Sequence, residues 1–308
     1  MRLSFKEFFR TIQRALTRGA FHFFYFLLKR VSYATAKMVF ALIVPLGMLV
    51  TRRHRKIARE ALSIAFGSSK SKEEQERIMD ICFRNSAQSM LELAYFGLHP
   101  SMVKEKVSIE GVENLQKAMQ HQKGVIAVTA HFGNFPLMML RFAREYPTNA
   151  IIRPARDPII EKDFNQFRTD AGLNTIYSLP RQECVNQSLK VLRNNELLFI
   201  PLDQNHSTKG GAFVEFFGQK AATPTGPVVF AIRTQAPLLP VFIMRDKEDT
   251  HKIVIEPYFF VEQKDTYEVT VLFNVQKITT IIERYVREYP QEWGWMHRRW
   301  KDRPAHSV

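Results

Sequence analysis

Between residues 107 and 260, short apolar runs alternate with longer segments of helical periodicity, and this alternation leaves few architectures open. The runs are GVIAVTA at 124–130, AIIRP at 150–154, TIYSL at 175–179, LLFIPLD at 197–203, PLLPVFIMR at 237–245 and HKIVIEPYFF at 251–260. Strands separated by helix-length segments imply crossover connections and therefore parallel pairing. The predicted fold class is α/β, with a mixed, partly parallel sheet flanked by helices. VSIEGVENLQKAMQHQKG at 107–124 adds a short strand, a helix and a Gly-containing turn. Upstream, 55–66 and 71–96 have helical periodicity, and Ser71 followed by Glu73 and Glu74 marks a helix start. No internal repeat or low-complexity segment interrupts the pattern. Two regions are expected: helices over 1–60 and an α/β domain over 61–308.

Composition narrows the function classes. The chain has 308 residues, 45% of them hydrophobic and 24% charged, which excludes charge-driven disorder for its bulk. A mean hydropathy of −0.20 excludes a polytopic membrane protein. Cys82 and Cys184 lie far apart, which excludes a disulfide scaffold and a cysteine-based zinc site and fits a reducing, cytoplasm-facing location. The net charge of +14 is confined to the ends: residues 1–60 carry 13 Lys/Arg against 2 Asp/Glu, residues 293–308 carry 4 against 1, and the body is neutral.

The basic N-terminus is also apolar. Over residues 3–18, Phe5, Phe8, Phe9, Ile12 and Leu16 share one helical face, and Arg2, Lys6, Arg10, Arg14 and Arg18 form a row along another. That pattern suits a membrane surface, whereas a surface helix packing its Phe face on its own core is the alternative. AFHFFYFLL at 20–28 follows, then VSYATAKMVFALIVPLGMLV at 31–50 and the cluster RRHRK at 52–56. The second stretch has the length of one span, but it contains Lys37 and Pro45. A tilted single anchor and a pair of in-plane helices both remain open, and basic flanks on both sides favour the second. The cations alternate with bulky apolar runs rather than with a reading motif, so no nucleic-acid partner is expected. Trp293, Trp295 and Trp300, interleaved with Arg298, Arg299, Lys301 and Arg303, suggest a second segment at the lipid–water boundary, or a tail folded onto the domain.

Ligands of open α/β sheets bind beyond the carboxyl ends of the strands. His131, Gly133, Asn134 and Pro136 follow the strand at 124–130. Arg153 and Arg156 follow that at 150–154, Asp203 and Gln204 that at 197–203, and Arg245 that at 237–245. One histidine, one carboxylate, amides and several arginines are thus expected on one edge. Asn134 can cap a helix that begins at Pro136, which would aim a positive helix end at His131.

AHFGNF, IIRPARDP, the DQ…KGGAFVEFFGQKAATPTGPVVFA block and HRRWKDRP, in that order, resemble the bacterial lipid A biosynthesis acyltransferases of the lysophospholipid acyltransferase superfamily. The resemblance covers about residues 20–304. It implies transfer of a fatty acyl chain from a thioester donor, acyl carrier protein or coenzyme A, to a hydroxyl of a lipid A precursor or related glycolipid. It also implies His131 as general base, no cofactor and no metal. The expected location is the cytoplasmic face of the bacterial inner membrane, on an N-terminal anchor.

The chain departs from the family pattern at one position. An acid is expected five residues after the histidine, and Pro136 stands there. Three readings follow: a catalytically impaired lipid-binding homologue, a histidine working alone, or a different acid orienting it. Asp203, at a neighbouring strand end, is the preferred acid, and Glu215 is the second candidate. An acyltransferase for another membrane lipid is a further alternative. Arg153 and Arg156 are expected to meet an anionic headgroup, with Asn134, Gln204, Arg245, Arg298 and Arg299 as further substrate-binding candidates. Phe213, Phe216 and Phe217 are candidates for an acyl groove, or else core.

Overall fold

Seven strands form the central sheet of the computed structural model, which describes residues 18–20, 22–49, 51–206, 211–246 and 249–302, with Ala15 and Pro304. Their order is β1 (Val107–Glu110), β9 (His251–Ile255), β8 (Leu238–Arg245), β2 (Val125–Thr129), β5 (Leu197–Pro201), β3 (Thr148–Ile152) and β4 (Leu173–Tyr177). Neighbours run parallel except for β8 and β9, so the sheet is mixed and mostly parallel. All six apolar runs read from the sequence overlap a strand of this sheet, with β3 and β4 each beginning two residues before the run.

The central strands β2 and β5 are apolar at every position but Thr129 because helices cover both faces of the sheet. Successive side chains alternate between two cores. Ile126 and Val128 of β2, with Leu198 and Ile200 of β5, pack with helices Arg52–Phe66, Gly226–Thr234 and Tyr267–Glu288. Val125, Ala127, Leu197 and Phe199 point the other way, toward helices Lys72–Leu98, Val112–Met119 and Phe135–Ala143. Ser71 starts helix Lys72–Leu98 with a capping box to Glu74. Helix Arg52–Phe66 runs through residue 60 and buries Ala58, Ala61 and Leu62 in the first core.

A two-stranded antiparallel hairpin, β6 (Gly211–Phe216) and β7 (Gln219–Pro224), stands apart from the main sheet. Its two-residue loop, Phe217-Gly218, has positive φ at both positions, as a tight hairpin turn requires. Phe216 and Phe217 are buried among Trp293, Trp295 and Trp300. These two phenylalanines are therefore core and not the walls of an acyl groove. The three tryptophans are buried as well, so the tail folds onto the domain and does not hold its indoles at a lipid boundary. Each indole N–H has an internal acceptor, which is what makes that burial affordable for Trp.

Most of the amphipathic segment expected over 3–18 lies outside the described residues. Arg18 bonds Asp157 at 2.9 Å. Helix Tyr33–Leu49 contains Pro45 and lies on helix Lys72–Leu98, with Tyr33 against Tyr95 and Phe96 at centroid distances of 5.2 and 5.1 Å. Lys37 pairs with Asp249. The opposite face is bare: Met38, Val39, Leu42 and Ile43 are exposed, as are Phe23, Phe24, Phe26 and Leu27. Among the described residues no helix is long and apolar enough to cross a membrane.

One buried carboxylate ties these layers together. Glu92, fully buried on helix Lys72–Leu98, receives Arg245 bidentately at 2.5 and 2.9 Å and His251 Nε2 at 2.8 Å. Burial opposes its ionisation, but His251 and Arg245 hold its pKa at about 2. Removing one partner of a buried ion cluster leaves the others uncompensated, at a cost of about 3–5 kcal/mol. Glu92→Leu is therefore expected to lose stability on that scale in urea unfolding; a change within ~0.5 kcal/mol would contradict this reading.

Candidate active site

β2 and β5 pair in register from Val125–Leu197 to Thr129–Pro201. His131 and Asp203 each lie two residues beyond the last of these pairs, so the register alone brings them opposite each other. The ladder is extended by the Leu202 amide donating to the Thr129 carbonyl at 3.0 Å. The two side chains meet with Nδ1 of His131 2.8 Å from Oδ1 of Asp203. The imidazole is 33% exposed and the carboxylate 2%, so a sheltered carboxylate orients a reachable imidazole.

The Asp203 carboxylate has a second donor. Nε1 of Trp293 donates to Oδ2 at 2.8 Å. Burial opposes ionisation of Asp203, yet the charge and hydrogen bond of His131, with that of Trp293, hold its pKa at about 2. On His131, burial favours the neutral ring but the Asp203 charge outweighs it, and the pKa is raised. Among the described residues Nε2 of His131 has no hydrogen-bond partner, and the Phe135 ring packs edge-on at 4.9 Å.

The turn after His131 is sterically determined. Gly133 has φ +55°, and a Cβ there would lie 2.0 Å from the Ile243 carbonyl oxygen. Its N–H donates to the Glu292 carbonyl at 2.8 Å, so it is not free for a substrate. Asn134 caps helix Phe135–Ala143 by accepting from the Leu137 N–H at 3.3 Å, and its own amide donates to the Ser89 carbonyl and to Glu92. Pro136 occupies the first helical turn, where its missing N–H costs nothing.

The remaining predicted site residues divide by exposure. Arg153 and Arg156 follow β3, which neighbours β5; both are exposed and have no ion-pair partner among the described residues. Arg298 is likewise exposed and unpaired among them. Gln204 is half-buried beside Asp203, and its carbonyl accepts from Arg299 at 3.4 Å. Three others are engaged inside the protein. Asn134 is the buried cap described above. Arg245 is spent on Glu92. Arg299 is buried, bonds the Ala222 carbonyl at 2.7 Å and Thr223 Oγ1 at 2.5 Å, and is pushed down to about 10 by its burial. These contacts give the three a structural role and leave no substrate contact to assign to them. The second candidate acid, Glu215, is exposed on β6 and pairs with Lys220.

Two residues near the pair have no local signal in the sequence. Trp293 reaches Asp203 only because the tail folds back. His297, half-buried in the same tail, accepts the Asn205 N–H at Nε2; burial keeps its pKa low, with the nearby charges of Asp203 and His131 also felt.

A family model for the bacterial lipid A biosynthesis acyltransferases matches residues 4–302. The chain belongs to this family. It is an acyltransferase. The lipid A biosynthesis palmitoleoyltransferase of Escherichia coli K12 is 25% identical over 257 residues, which cover 82% of this chain and 81% of that one. The lauroyltransferase of the same organism is 23% identical over 263 residues, covering 84% and 83%. A phosphatidylinositol mannoside acyltransferase of Mycolicibacterium smegmatis is 20% identical over 197 residues, covering 64% and 63%.

Glu292, whose carbonyl holds Gly133, carries a half-buried carboxyl group. Burial pushes its pKa up to about 7, with Arg245 opposing and the Glu92 charge adding to the rise. A folded pKa above the ordinary value of 4.5 means a contribution to stability that is complete below 4.5 and lost as pH rises through 7. Glu292→Gln keeps an acceptor for the Asn85 amide, which donates to Oε1 at 3.0 Å. The variant is expected to gain a few degrees of Tm over the parent at about pH 8 and little near pH 5. An equal difference at both pH values would contradict the assignment.

Proposed function

We propose that the protein transfers a fatty acyl chain from a thioester donor to a hydroxyl of a lipid A precursor or related glycolipid, with His131 as general base and Asp203 as its orienting acid. The observation that carries this reading is the 2.8 Å bond from His131 Nδ1 to a buried carboxylate, with Nε2 left unbonded on a partly exposed ring. Asp203 fixes the tautomer with the proton on Nδ1, and Nε2 is then the acceptor. Nε2 takes the hydroxyl proton as the oxygen attacks the thioester carbonyl. The tetrahedral intermediate collapses with cleavage of the C–S bond, and the imidazolium returns its proton to the departing thiolate. The Asp203 charge stabilises the imidazolium between those steps. The start of helix Phe135–Ala143 supplies positive potential for the oxyanion.

Pro136 does not make the chain a lipid-binding relic on this reading, because Asp203 supplies the carboxylate that position 136 lacks. Arg153 and Arg156, exposed at the same sheet edge, suit the phosphates of a glycolipid headgroup. The names of the two Escherichia coli relatives support a lipid A precursor as acceptor. The mycobacterial relative supports the second reading, a mannoside-type glycolipid. For the donor, an acidic carrier protein suits the basic rim. The bare apolar face of helix Tyr33–Leu49 suits shallow insertion into the cytoplasmic leaflet of the inner membrane.

Incubation with labelled acyl donors and a membrane lipid extract, followed by mass spectrometry, tests the reaction and identifies the acceptor. His131→Ala is expected to abolish transfer, and Asp203→Asn to lower it more than ~10²-fold; full activity in either variant would sink the assignment. Leu42 and Ile43, 72% and 53% exposed, test the membrane face without disturbing the core. The double variant L42E/I43E is expected to lose binding to anionic vesicles while keeping its Tm. Undiminished vesicle binding would place the anchor elsewhere.

A further inference from the structure

We propose that Trp293 is a positioning residue for acyl transfer: its indole N–H, delivered by the C-terminal segment, fixes the Asp203 carboxylate against His131. This rests on the reading of His131 and Asp203 as the reacting pair. A buried carboxylate held at one oxygen is free to turn about its Cβ–Cγ bond. Asp203 is held at both, by His131 on Oδ1 and by Trp293 on Oδ2, each at 2.8 Å. The carboxylate plane is thereby set, and with it the direction in which the imidazole is held.

The indole is itself immobilised. It is 1% exposed and packs on Phe216 and Trp295 at centroid distances of 5.4 and 4.6 Å, and the Trp293 carbonyl accepts from the Cys82 thiol at 3.0 Å. The same segment grips the backbone of the other partner. Phe132 and Trp293 form an antiparallel bridge, with Gly294 N–H donating to the His131 carbonyl at 3.0 Å and Gly133 N–H to the Glu292 carbonyl at 2.8 Å. Three consecutive tail residues thus contact the turn that carries the base and the side chain of the acid.

The chemistry of the donor also fits. An indole N–H is uncharged, donates only, and cannot take a proton from the pair. A lysine or arginine in its place would fix the carboxylate equally well but would neutralise the charge that the imidazolium needs. A tryptophan orients Asp203 and leaves that charge to act on His131.

The test is a double-mutant cycle on the full chain, with acyl transfer measured as a function of pH and of acceptor concentration. Trp293→Phe removes the donor and shrinks the side chain. Site-specific replacement by 3-benzothienylalanine removes the N–H and keeps the shape, which covers a failure of the Phe variant to fold. Both are expected to lower kcat about tenfold or more, the size of a lost hydrogen bond to a charged group, with KM within about twofold. The acidic limb of the kcat profile should move to lower pH, because a loosened Asp203 no longer raises the His131 pKa. In an Asp203→Asn background neither replacement should lower kcat further. An isostere with parental kcat and pH profile, or an equal loss in the Asp203→Asn background, overturns the proposal. Full activity of Asp203→Asn itself overturns the underlying pair instead.

Discussion

The hydrogen bond between His131 and Asp203 joins two parts of the chain 72 residues apart, and the sheet exists in the form that makes it. Parallel pairing of β2 and β5 puts both carboxyl ends on one edge, and their unbroken register places the two side chains opposite each other. A shift of one residue in that register would turn Asp203 to the other face of the sheet. Successive side chains of β2 and β5 are shaped to two different cores, and a slip would exchange them.

Polar groups buried behind that edge do the remaining positioning. Glu92 collects Arg245 from the end of β8, His251 from the start of β9 and Asn134 from the turn after His131. The helix start beyond His131 is thereby anchored to a carboxylate on a different helix. On the other side, Trp293 and Gly294 close over Asp203 and the His131 carbonyl. The His131 ring is held from its backbone, from its Nδ1 and from the helix that follows it, and among the described residues Nε2 alone is left unbonded.

Much of this was legible in the sequence where the determinant is local. The six apolar runs became strands because their length and flanking turns leave no room for a buried helix. Asn134 caps and Pro136 begins a helix as their side chains dictate. Asp203 was readable as the partner of His131 because both follow apolar runs that topology places at one edge. What the sequence does not show depends on long-range contact. The three tryptophans look interfacial among their arginines, and only the folded-back tail supplies the buried acceptors for their N–H groups. Arg245 and Arg299 look like anion binders until Glu92, Ala222 and Thr223 appear beside them. Hairpin β6–β7 is not evident from the sequence because Phe217 adopts a positive φ that its residue type does not announce.

On the proposed mechanism, a carboxylate from a neighbouring strand tunes His131 in place of the acid missing at position 136. Titration of His131 by NMR, using protein labelled at the histidine Cε1, measures this directly. A pKa above the ordinary 6.5 is expected in the parent protein, with a fall in Asp203→Asn. A His131 pKa that is the same in both proteins would contradict it.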